Sequence, residues 1–211
     1  MTALARSLRV LSLTAIAVSL SACISLFPKS EPSQLYRFDG ATPAEAGSAP
    51  APTAQFGVVR GAGSFVQSAA GDRMLTVNGD QVAYIAESRW VSPASTLFNE
   101  AMTRAFDANG GAARLMSRGE TGRADYFMRV DVTRFEAVYD RGVKSAPEIA
   151  VTLRVALVRN DRTLAGSTLI EAKVRAGDNR VSSIVAAFDQ AVSQSLAELI
   201  AWTNQTGATP A

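Results

Sequence analysis

The chain has 211 residues, of which 21 are lysine or arginine, 19 are aspartate or glutamate, one is cysteine and none is histidine. The absence of histidine removes the commonest general base and the commonest metal ligand, and a single cysteine excludes both an intrachain disulfide and a thiolate metal cluster. The nearly balanced charge provides no electrostatic reason to expect binding to nucleic acid.

Residues 1–22 are predicted to be a cleaved lipoprotein signal peptide. Arg6 and Arg9 form a basic start, and the apolar run at 10–20 is too short to span a bilayer. The run ends in Leu20-Ser21-Ala22-Cys23, a small-residue cleavage site followed by a nucleophilic thiol. Cys23 is therefore predicted to become the new N-terminus and to carry a diacylglyceryl group and an N-acyl group, which anchor a protein stably. The alternatives are an ordinary secreted protein with a free cysteine, or an uncleaved anchor.

The residues that follow Cys23 predict where the mature chain sits. No acidic residue comes directly after Cys23, which favours the periplasmic face of the outer membrane over the inner membrane. Residues 23–34 are predicted to be a lipidated tether, and as a flexible coil about 11 residues span on the order of 18 Å. The folded domain is predicted over 35–204, with a flexible loop rich in alanine and proline at 39–55 and a disordered tail at 205–211.

The first half of the domain is predicted to contain short strands and one hairpin. Asn78-Gly79-Asp80 predicts a tight turn, because asparagine and glycine tolerate positive φ. The strands on either side of this turn are therefore expected to pair antiparallel. The four strands predicted in this half lie at 35–38, 56–60, 73–77 and 82–88.

A helix is predicted to follow the hairpin. Ser92 is expected to cap it, with Pro93 at its first position, and Asn109-Gly110-Gly111 is expected to end it. One apolar stripe at helical spacing is predicted to be buried, and it consists of Leu97, Phe98, Ala101, Met102, Ala105 and Phe106.

Three longer strands and a second helix complete the domain. The middle strand alternates between apolar and polar residues, which predicts one buried side. In the strand before it, the apolar phase shifts at Phe135, which predicts a bulge or a bend. The strands are predicted at 125–139, 149–158 and 163–174, and the helix at 181–203. This order predicts a single α+β domain, a mainly antiparallel β-sheet with two α-helices packed on one face.

Catalytic patterns are weak throughout the chain. Ser182-Ser183 begins the last helix, where serine is an ordinary capping residue, and no G-x-S-x-G motif is present. Gly61-Ala62-Gly63 follows a strand but opens no helix, so a turn is expected there instead of a phosphate-binding loop. Asp125 and Asp131 share a strand face with Arg129, which is as typical of an exposed mixed-charge sheet face as of an acid–base pair. The chain is predicted not to be an enzyme and to need no metal and no cofactor beyond its covalent lipid.

Arg89 and Trp90 are the candidate partner-binding residues. They lie at the junction of a strand and a helix, and tryptophan and arginine are enriched in the hot spots of interfaces. The alternative is a core tryptophan that anchors the start of the helix, and it applies equally to Trp202. Three further aromatic residues are candidates for exposure, with core packing as the alternative, and they are Phe65, Phe127 and Phe135.

Several of these segments together resemble the ABC-type transport auxiliary lipoprotein family. That family has an Asp-Arg-aliphatic strand, then a Tyr-aliphatic strand that ends in Arg-Trp, and then a helix. The corresponding segments here are Asp72-Arg73-Met74-Leu75, Val82 to Val91 and Leu97 to Phe106. Further matches are Leu35-Tyr36-Arg37-Phe38, Ala124-Asp125-Tyr126, Arg134-Phe135-Glu136, Ala186-Ala187-Phe188-Asp189 and Trp202. The resemblance covers nearly all of the mature chain, and Cys23 matches the family's lipid attachment point.

The resemblance implies a non-enzymatic role. Lipoproteins of this family, of which the Pqi-type proteins are the best-known branch, are grouped with MCE-domain proteins and with an ABC permease and ATPase. Such systems move phospholipids or other hydrophobic molecules between the inner and outer membranes. The implied partners are thus an MCE protein, the ABC subunits and the membrane itself, and a homo-oligomer is left open. The alternative is a structural or assembly lipoprotein that partners an outer-membrane barrel or a Tol-like envelope complex.

Overall fold

The sheet is built around one long strand, Tyr126–Val138. The computed structural model describes residues 33–40, 55–116, 120, 122 and 124–208. These residues contain eight strands, two α-helices and a 3-10 helix at Gln67–Ala69. The strands are β1 (Gln34–Tyr36), β2 (Phe56–Arg60), β3 (Arg73–Asn78), β4 (Gln81–Trp90), β5 (Ala113–Met116), β6 (Tyr126–Val138), β7 (Glu148–Arg159) and β8 (Leu164–Arg175), and the helices are α1 (Ala94–Ala108) and α2 (Val181–Ala208). Cys23 and the predicted signal peptide lie outside the described residues.

Strand β6 has three neighbours, because two strands share one of its edges. Strand β7 pairs antiparallel with the other edge, from Tyr126↔Arg159 to Val138↔Glu148. Strand β2 pairs parallel with the beginning of β6, and β3 pairs parallel with its end. Beyond them, β5 pairs with β2, β4 with β3 and β1 with β4, while β8 pairs only with β7 among the described strands. The α+β class is as predicted. Most paired residues belong to the three antiparallel pairs, as predicted, but the other four strand pairs are parallel, so the sheet is mixed.

Both helices cover the same face of this sheet. Helix α2 packs against β7 and β8 and also contacts α1. The alternation predicted for β7 provides the floor beneath the helices, where every second side chain is fully buried, namely Ile149, Val151, Leu153, Val155 and Leu157. The predicted stripe on α1 is buried as well, except that Ala105 is half-buried. Neither helix in the described part of the chain is long and apolar enough to cross a membrane.

Two local backbone features agree with the sequence predictions. The register between β6 and β7 shifts between Val132 and Arg134, at the position where the apolar phase predicted a bulge. Asn78 pairs with Gln81 across a two-residue turn, in which Gly79 has a φ of +56°. Glycine adopts this left-handed conformation without strain, which explains its place in the hairpin.

The beginning of α1 differs from the prediction by one residue. Pro93, and not Ser92, is the N-cap, and the N-cap makes no side-chain hydrogen bond. Instead, the backbone N–H of Ala94 donates to the carbonyl oxygen of Gly71 at 2.9 Å. The first N–H groups of a helix need acceptors from outside the helix, and here the chain before β3 supplies one.

Helix α2 extends past its predicted end at residue 203. Residues 205–208 are helical, in contrast to the disordered tail predicted from residue 205, and 209–211 lie outside the described residues. The hydroxyl of Tyr126 donates to the carbonyl oxygen of Gly207 at 2.9 Å, and the ring of Phe56 packs directly on Gly207. These contacts with the first residues of β6 and β2 stabilise the last helical turn.

The ends of the predicted loop at 39–55 are fastened to the domain, and residues 41–54 lie outside the described part of the chain. The backbone N–H groups of Asp39 and Gly40 donate to Oδ1 of Asp189 at 2.7 and 2.9 Å. At the other end, the N–H of Gln55 donates to the carbonyl oxygen of Ala112 at 2.8 Å. The loop therefore begins beside α2 and ends beside β5.

Candidate interaction surfaces

Trp90, a candidate partner-binding residue, lies in the core. Its exposed fraction is 2%, and its ring centroid lies 5.1 Å from that of Phe38 and 5.3 Å from that of Phe188, both in edge-on contacts. Phe135 packs against Phe38 and Phe188 and completes a buried aromatic cluster. A side chain enclosed in this way offers no surface to a partner, so Trp90 anchors the end of β4 to the core.

Arg89, the other candidate, lies on the solvent side of β4. Its Nη1 donates to Oδ2 of Asp72 at 2.9 Å, and both side chains are nearly half exposed. The strand register places Arg89 beside Leu35 of β1 on one side and beside Arg73 of β3 on the other. Arg89 therefore belongs to a row of accessible residues that crosses three strands.

The remaining aromatic candidates differ in exposure. Phe127 is 41% exposed, whereas Phe135 is 1% exposed and belongs to the core. Phe65 is half-buried and packs against Phe98 and Phe135, with ring centroids 6.1 and 5.3 Å away. Trp202 is also half-buried and packs on the core. Phe127 is thus the one of these four residues that offers a largely accessible ring.

Asp131 is buried, contrary to the expectation of an exposed mixed-charge face. Its Oδ1 accepts hydrogen bonds from N and Oγ of Ser64 at 2.8 and 2.7 Å, and its Oδ2 lies 2.9 Å from Nε of Arg129. Burial alone would raise the pKa of Asp131, but the hydrogen bonds from Ser64 and the interaction with Arg129 outweigh it and lower the pKa below 3.8. The carboxylate stays ionised and fastens the chain after β2 to β6. Asp125 acts in a similar way by accepting a hydrogen bond from the N–H of Gly57 at 2.8 Å.

The Gly61-Ala62-Gly63 segment lies along β6 and makes no phosphate cradle. The N–H of Gly61 donates to the carbonyl oxygen of Met128 at 2.8 Å. A Cβ placed on Gly63 would lie 2.0 Å from the carbonyl oxygen of Val130. Close approach to the backbone of β6 therefore requires glycine at position 63, and the segment has a structural role.

The described residues contain no group of three or more histidine, cysteine, aspartate or glutamate side chains that could hold a metal ion. Ser182 and Ser183 lie in the first turn of α2, and Asp178 just before this turn accepts hydrogen bonds from Arg180. These hydrogen bonds lower the pKa of Asp178 well below its ordinary value. The carboxylate of Asp178 therefore has a structural role at the start of α2.

The face of the sheet that the helices leave uncovered carries an open groove of about 630 Å³. It crosses β6, β7 and β8, where Arg154 is the register partner of Asp131 on one side and of Leu169 on the other. Arg154 is exposed and makes no ion pair with any described residue. Leu169 is 54% exposed. We call Phe127, Arg154 and Leu169, with the groove between them, the outer sheet face.

A second cleft of about 410 Å³ lies between α1 and the chain that follows β2. Its floor includes Phe98 and Met102, which are each only 1% exposed, and its rim includes Gln67 and Asn99. Because its apolar floor is almost closed, this cleft presents less apolar surface than the groove of the outer sheet face.

A mixed sheet with two helices on one face and an open second face defines an α+β domain suited to contacts with other molecules. The family described as the ABC-type transport auxiliary lipoprotein component matches residues 71–201, and the chain belongs to this family. The match runs from the residues before β3 into α2, and it includes Arg73, Arg89, Trp90 and Arg154.

Solved structures show the same fold. The chain is similar to the DUF330 protein XCC0632 from Xanthomonas campestris, with 23% sequence identity and a TM-score of 0.68 over 82% of this chain and 96% of that chain. It is also similar to an uncharacterized protein, with 14% identity and a TM-score of 0.62 over 82% of this chain and 99% of that chain. At these identities, the likeness shows the fold alone. No match was found among curated proteins.

Proposed function

We propose that this protein is a membrane-anchored periplasmic component of an MCE/ABC-type transport system that moves phospholipids or other hydrophobic molecules between the inner and outer membranes. The observation that carries the proposal is the family match over residues 71–201, because the family is described as an auxiliary component of ABC-type transport and as a lipoprotein. In this proposal, the ATPase subunit supplies the energy, and the domain provides a docking point at the outer membrane.

Acyl chains on Cys23 hold the domain at the periplasmic face of the outer membrane. Strand β1 begins at Gln34, 11 residues after Cys23. Even fully extended, a chain of that length spans no more than about 40 Å. The domain therefore stays close to its membrane, and a partner anchored in the inner membrane has to reach across the periplasm to meet it.

The outer sheet face is the surface at which we expect the MCE protein to dock. Its exposed side chains include Leu169 and Phe127. Arg154 lies between their strands and makes no ion pair with a described residue, because the carboxylate of its register partner Asp131 pairs with Arg129. Apolar anchors beside arginine are typical of interface centres. A partner that fits this face would offer apolar side chains to Leu169 and Phe127 and an acidic group to Arg154.

Photo-crosslinking from single positions tests both the partner and the surface. A photoreactive residue at Leu169 is expected to form an adduct with an MCE protein in intact envelopes. The same residue at Gln190, which is exposed on α2, serves as the control and is expected to form none. An adduct from Leu169 with an outer-membrane barrel or a Tol-like protein, and none with an MCE protein, would instead support the structural or assembly role.

A charge reversal at Arg154 tests whether the adduct from Leu169 depends on docking at this face or only on the exposure of Leu169. Arg154→Glu is expected to reduce the adduct from Leu169 at least fivefold, since it would place a carboxylate opposite the acidic group of the partner. Lys144→Glu makes the same change from a positive to a negative side chain at an exposed position in the β6–β7 turn and is expected to leave the adduct unchanged. Equal adduct yields for the two variants would show that Arg154 is not part of the interface.

A further inference from the structure

Two exposed aliphatic residues and three arginines lie together at the β1 end of the sheet. Leu35 on β1 is 62% exposed, and Val91, directly after β4, is 53% exposed. The N–H of Val91 donates to the carbonyl oxygen of Tyr36 at 2.7 Å, which holds Val91 next to β1. The strand register extends this group from Leu35 through Arg89 to Arg73. We call this group the β1 patch, and it consists of Leu35, Arg37, Arg73, Arg89 and Val91.

The arginines of the β1 patch are only partly neutralised. Arg89 pairs with Asp72 at 2.9 Å, and Arg37 pairs with Asp39 at 3.3 Å. Arg73 is exposed, stacks on an aromatic ring 3.8 Å away and has no ion-pair partner among the described residues. The side chain of Arg37 is 71% exposed despite its ion pair. The patch thus combines aliphatic side chains with guanidinium groups that can still donate hydrogen bonds.

The β1 patch also includes Leu35 and Arg37, which are among the first described residues after Cys23 along the chain. Leu35 comes 12 residues after Cys23, and each residue between them contributes at most about 3.6 Å of reach. Leu164, which is 60% exposed, begins β8, five strand positions away from β1. At about 4.8 Å between neighbouring strands, five positions correspond to roughly 24 Å.

We infer that the β1 patch rests on the lipid surface to which the chain is anchored, an inference that depends on the lipid anchor at Cys23 proposed above. Leu35 and Val91 then enter the boundary between headgroups and acyl chains, as the apolar residues of interfacial proteins do. The three arginines donate hydrogen bonds to the lipid phosphates, which guanidinium groups bind well.

This orientation leaves the outer sheet face accessible. Neighbouring strands of a sheet are rotated by about 20–25° on average, so five strand positions turn the sheet by roughly 100°. A rotation of this size turns the surface of β7 and β8 that carries Arg154 and Leu169 to the side, so that it does not lie against the lipid. The membrane contact and the docking surface proposed above are therefore compatible.

The test attaches the domain to vesicles through Cys23 and measures which residues reach the lipid. All described elements lie after residue 32, so a chain that begins at Cys23 keeps every one of them. Its single thiol can be coupled to a maleimide lipid in vesicles of phosphatidylethanolamine and phosphatidylglycerol that carry brominated acyl chains. Leu35→Trp is the reporter and Leu164→Trp is the matched control, because the two positions are 62% and 60% exposed.

Bromine quenches tryptophan only over short distances, so quenching reports contact with the acyl region. The fluorescence added by Leu35→Trp, above the background of Trp90 and Trp202, is expected to be quenched at least threefold more than that added by Leu164→Trp. Quenching that is equal at the two positions, or absent at Leu35→Trp, would overturn the inference.

Charge reversals test the contribution of the arginines. In the Leu35→Trp background, Arg73→Glu is expected to reduce the quenching by at least half, and Lys144→Glu is expected to leave it unchanged. An equal effect of both variants would mean that net charge, and not the patch, directs the contact. In this experiment the anchor is attached chemically and no transporter subunit is present. Absence of quenching at Leu35→Trp would therefore not contradict the transport proposal. Likewise, failure to find an MCE partner would not contradict a measured contact between the β1 patch and lipid.

Discussion

Asp189 on α2 accepts a hydrogen bond at 2.9 Å from the backbone N–H of Gly40, 149 residues earlier in the chain. The same oxygen accepts a second hydrogen bond from the N–H of Asp39 at 2.7 Å. These bonds hold the chain after β1 against the second helix, where Phe38 is 1% exposed and packs on Trp90. The two hydrogen bonds to Asp189 therefore connect the N-terminal end of the described domain to its core.

Gly40 is predicted to be intolerant of any side chain. Its φ is +58°, and an added Cβ would lie 2.7 Å from Cγ1 of Val192. Left-handed strain and overpacking together predict that Gly40→Ala lowers the free energy of unfolding by about 3 kcal/mol. Gly79→Ala is the matched control, because Gly79 has a φ of +56° but no atom within 4 Å of the added Cβ, and a loss of about 1 kcal/mol is expected. Urea unfolding of both variants measures the difference, and equal losses would refute the packing part of the argument.

Trp90 and Arg89 are neighbours in the chain, but Trp90 lies in the core and Arg89 on the surface. Alanine substitutions at the two positions are therefore expected to change the stability of the protein by different amounts. Trp90→Ala removes a ring at the centre of the aromatic cluster and is expected to lower the free energy of unfolding by about 3–5 kcal/mol. Arg89→Ala removes an exposed ion pair and is expected to change it by less than about 1 kcal/mol. Thermal or urea unfolding distinguishes the two. A small effect of Trp90→Ala would mean that Trp90 is not in the core.

Asp131 is expected to make the protein sensitive to acid. Because its pKa is lower in the folded protein than in the unfolded chain, its contribution to stability is complete above the unfolded pKa of about 3.9 and is lost as the pH falls through the folded pKa. The free energy of unfolding of the parent protein should therefore fall more steeply below about pH 4 than that of Asp131→Asn. Glu171→Gln, which removes an exposed carboxyl without an ion pair among the described residues, is the control. Parallel curves for the parent and Asp131→Asn would show that the Ser64 and Arg129 contacts do not favour the ionised form.

Gly63 is expected to be required for the chain after β2 to lie along β6. In Gly63→Ala, the new Cβ would meet the carbonyl oxygen of Val130 at 2.0 Å, and relief is limited because the three nearest atoms all belong to the backbone of Val130. A loss of about 3 kcal/mol or more in the free energy of unfolding is expected, with faster hydrogen exchange at the N–H of Ser64. Gly71→Ala, where nothing lies within 4 Å of the added Cβ, should cause little loss. Unchanged exchange at Ser64 in Gly63→Ala would contradict the close approach.

The sequence predicted the long elements well, because their periodicity is local. Every second residue of β7 is apolar over most of its length, and the phase shift before Phe135 marks the bulge of β6. Strand β5 was not predicted, since its four residues are too few to show a period. The parallel pairing of β2 and β3 with one edge of β6 was not predicted either. It depends on contacts between distant residues, such as the bonds from Ser64 to Asp131, which no local pattern encodes.

The candidate surfaces were only partly predictable for the same reason. The alternation of β7 placed Arg154 on the side opposite Leu153, but its neighbours on the open face depend on the pairing with β6 and β8. The sequence left two interpretations of Trp90 open, and only the contacts with Phe38 and Phe188 distinguish them. The role of Asp189 was also undetectable, because its partners are backbone N–H groups, which any residue except proline provides.

The protein is proposed to work as part of an MCE/ABC transport system. The most direct test is affinity purification of the full-length protein from envelope membranes, with identification of everything that remains bound. An MCE protein is expected to remain bound together with its ABC permease and ATPase, and all three are expected to be lost when Cys23→Ser removes the anchor. Recovery of a barrel protein or a Tol-like complex, with no MCE protein, would contradict it.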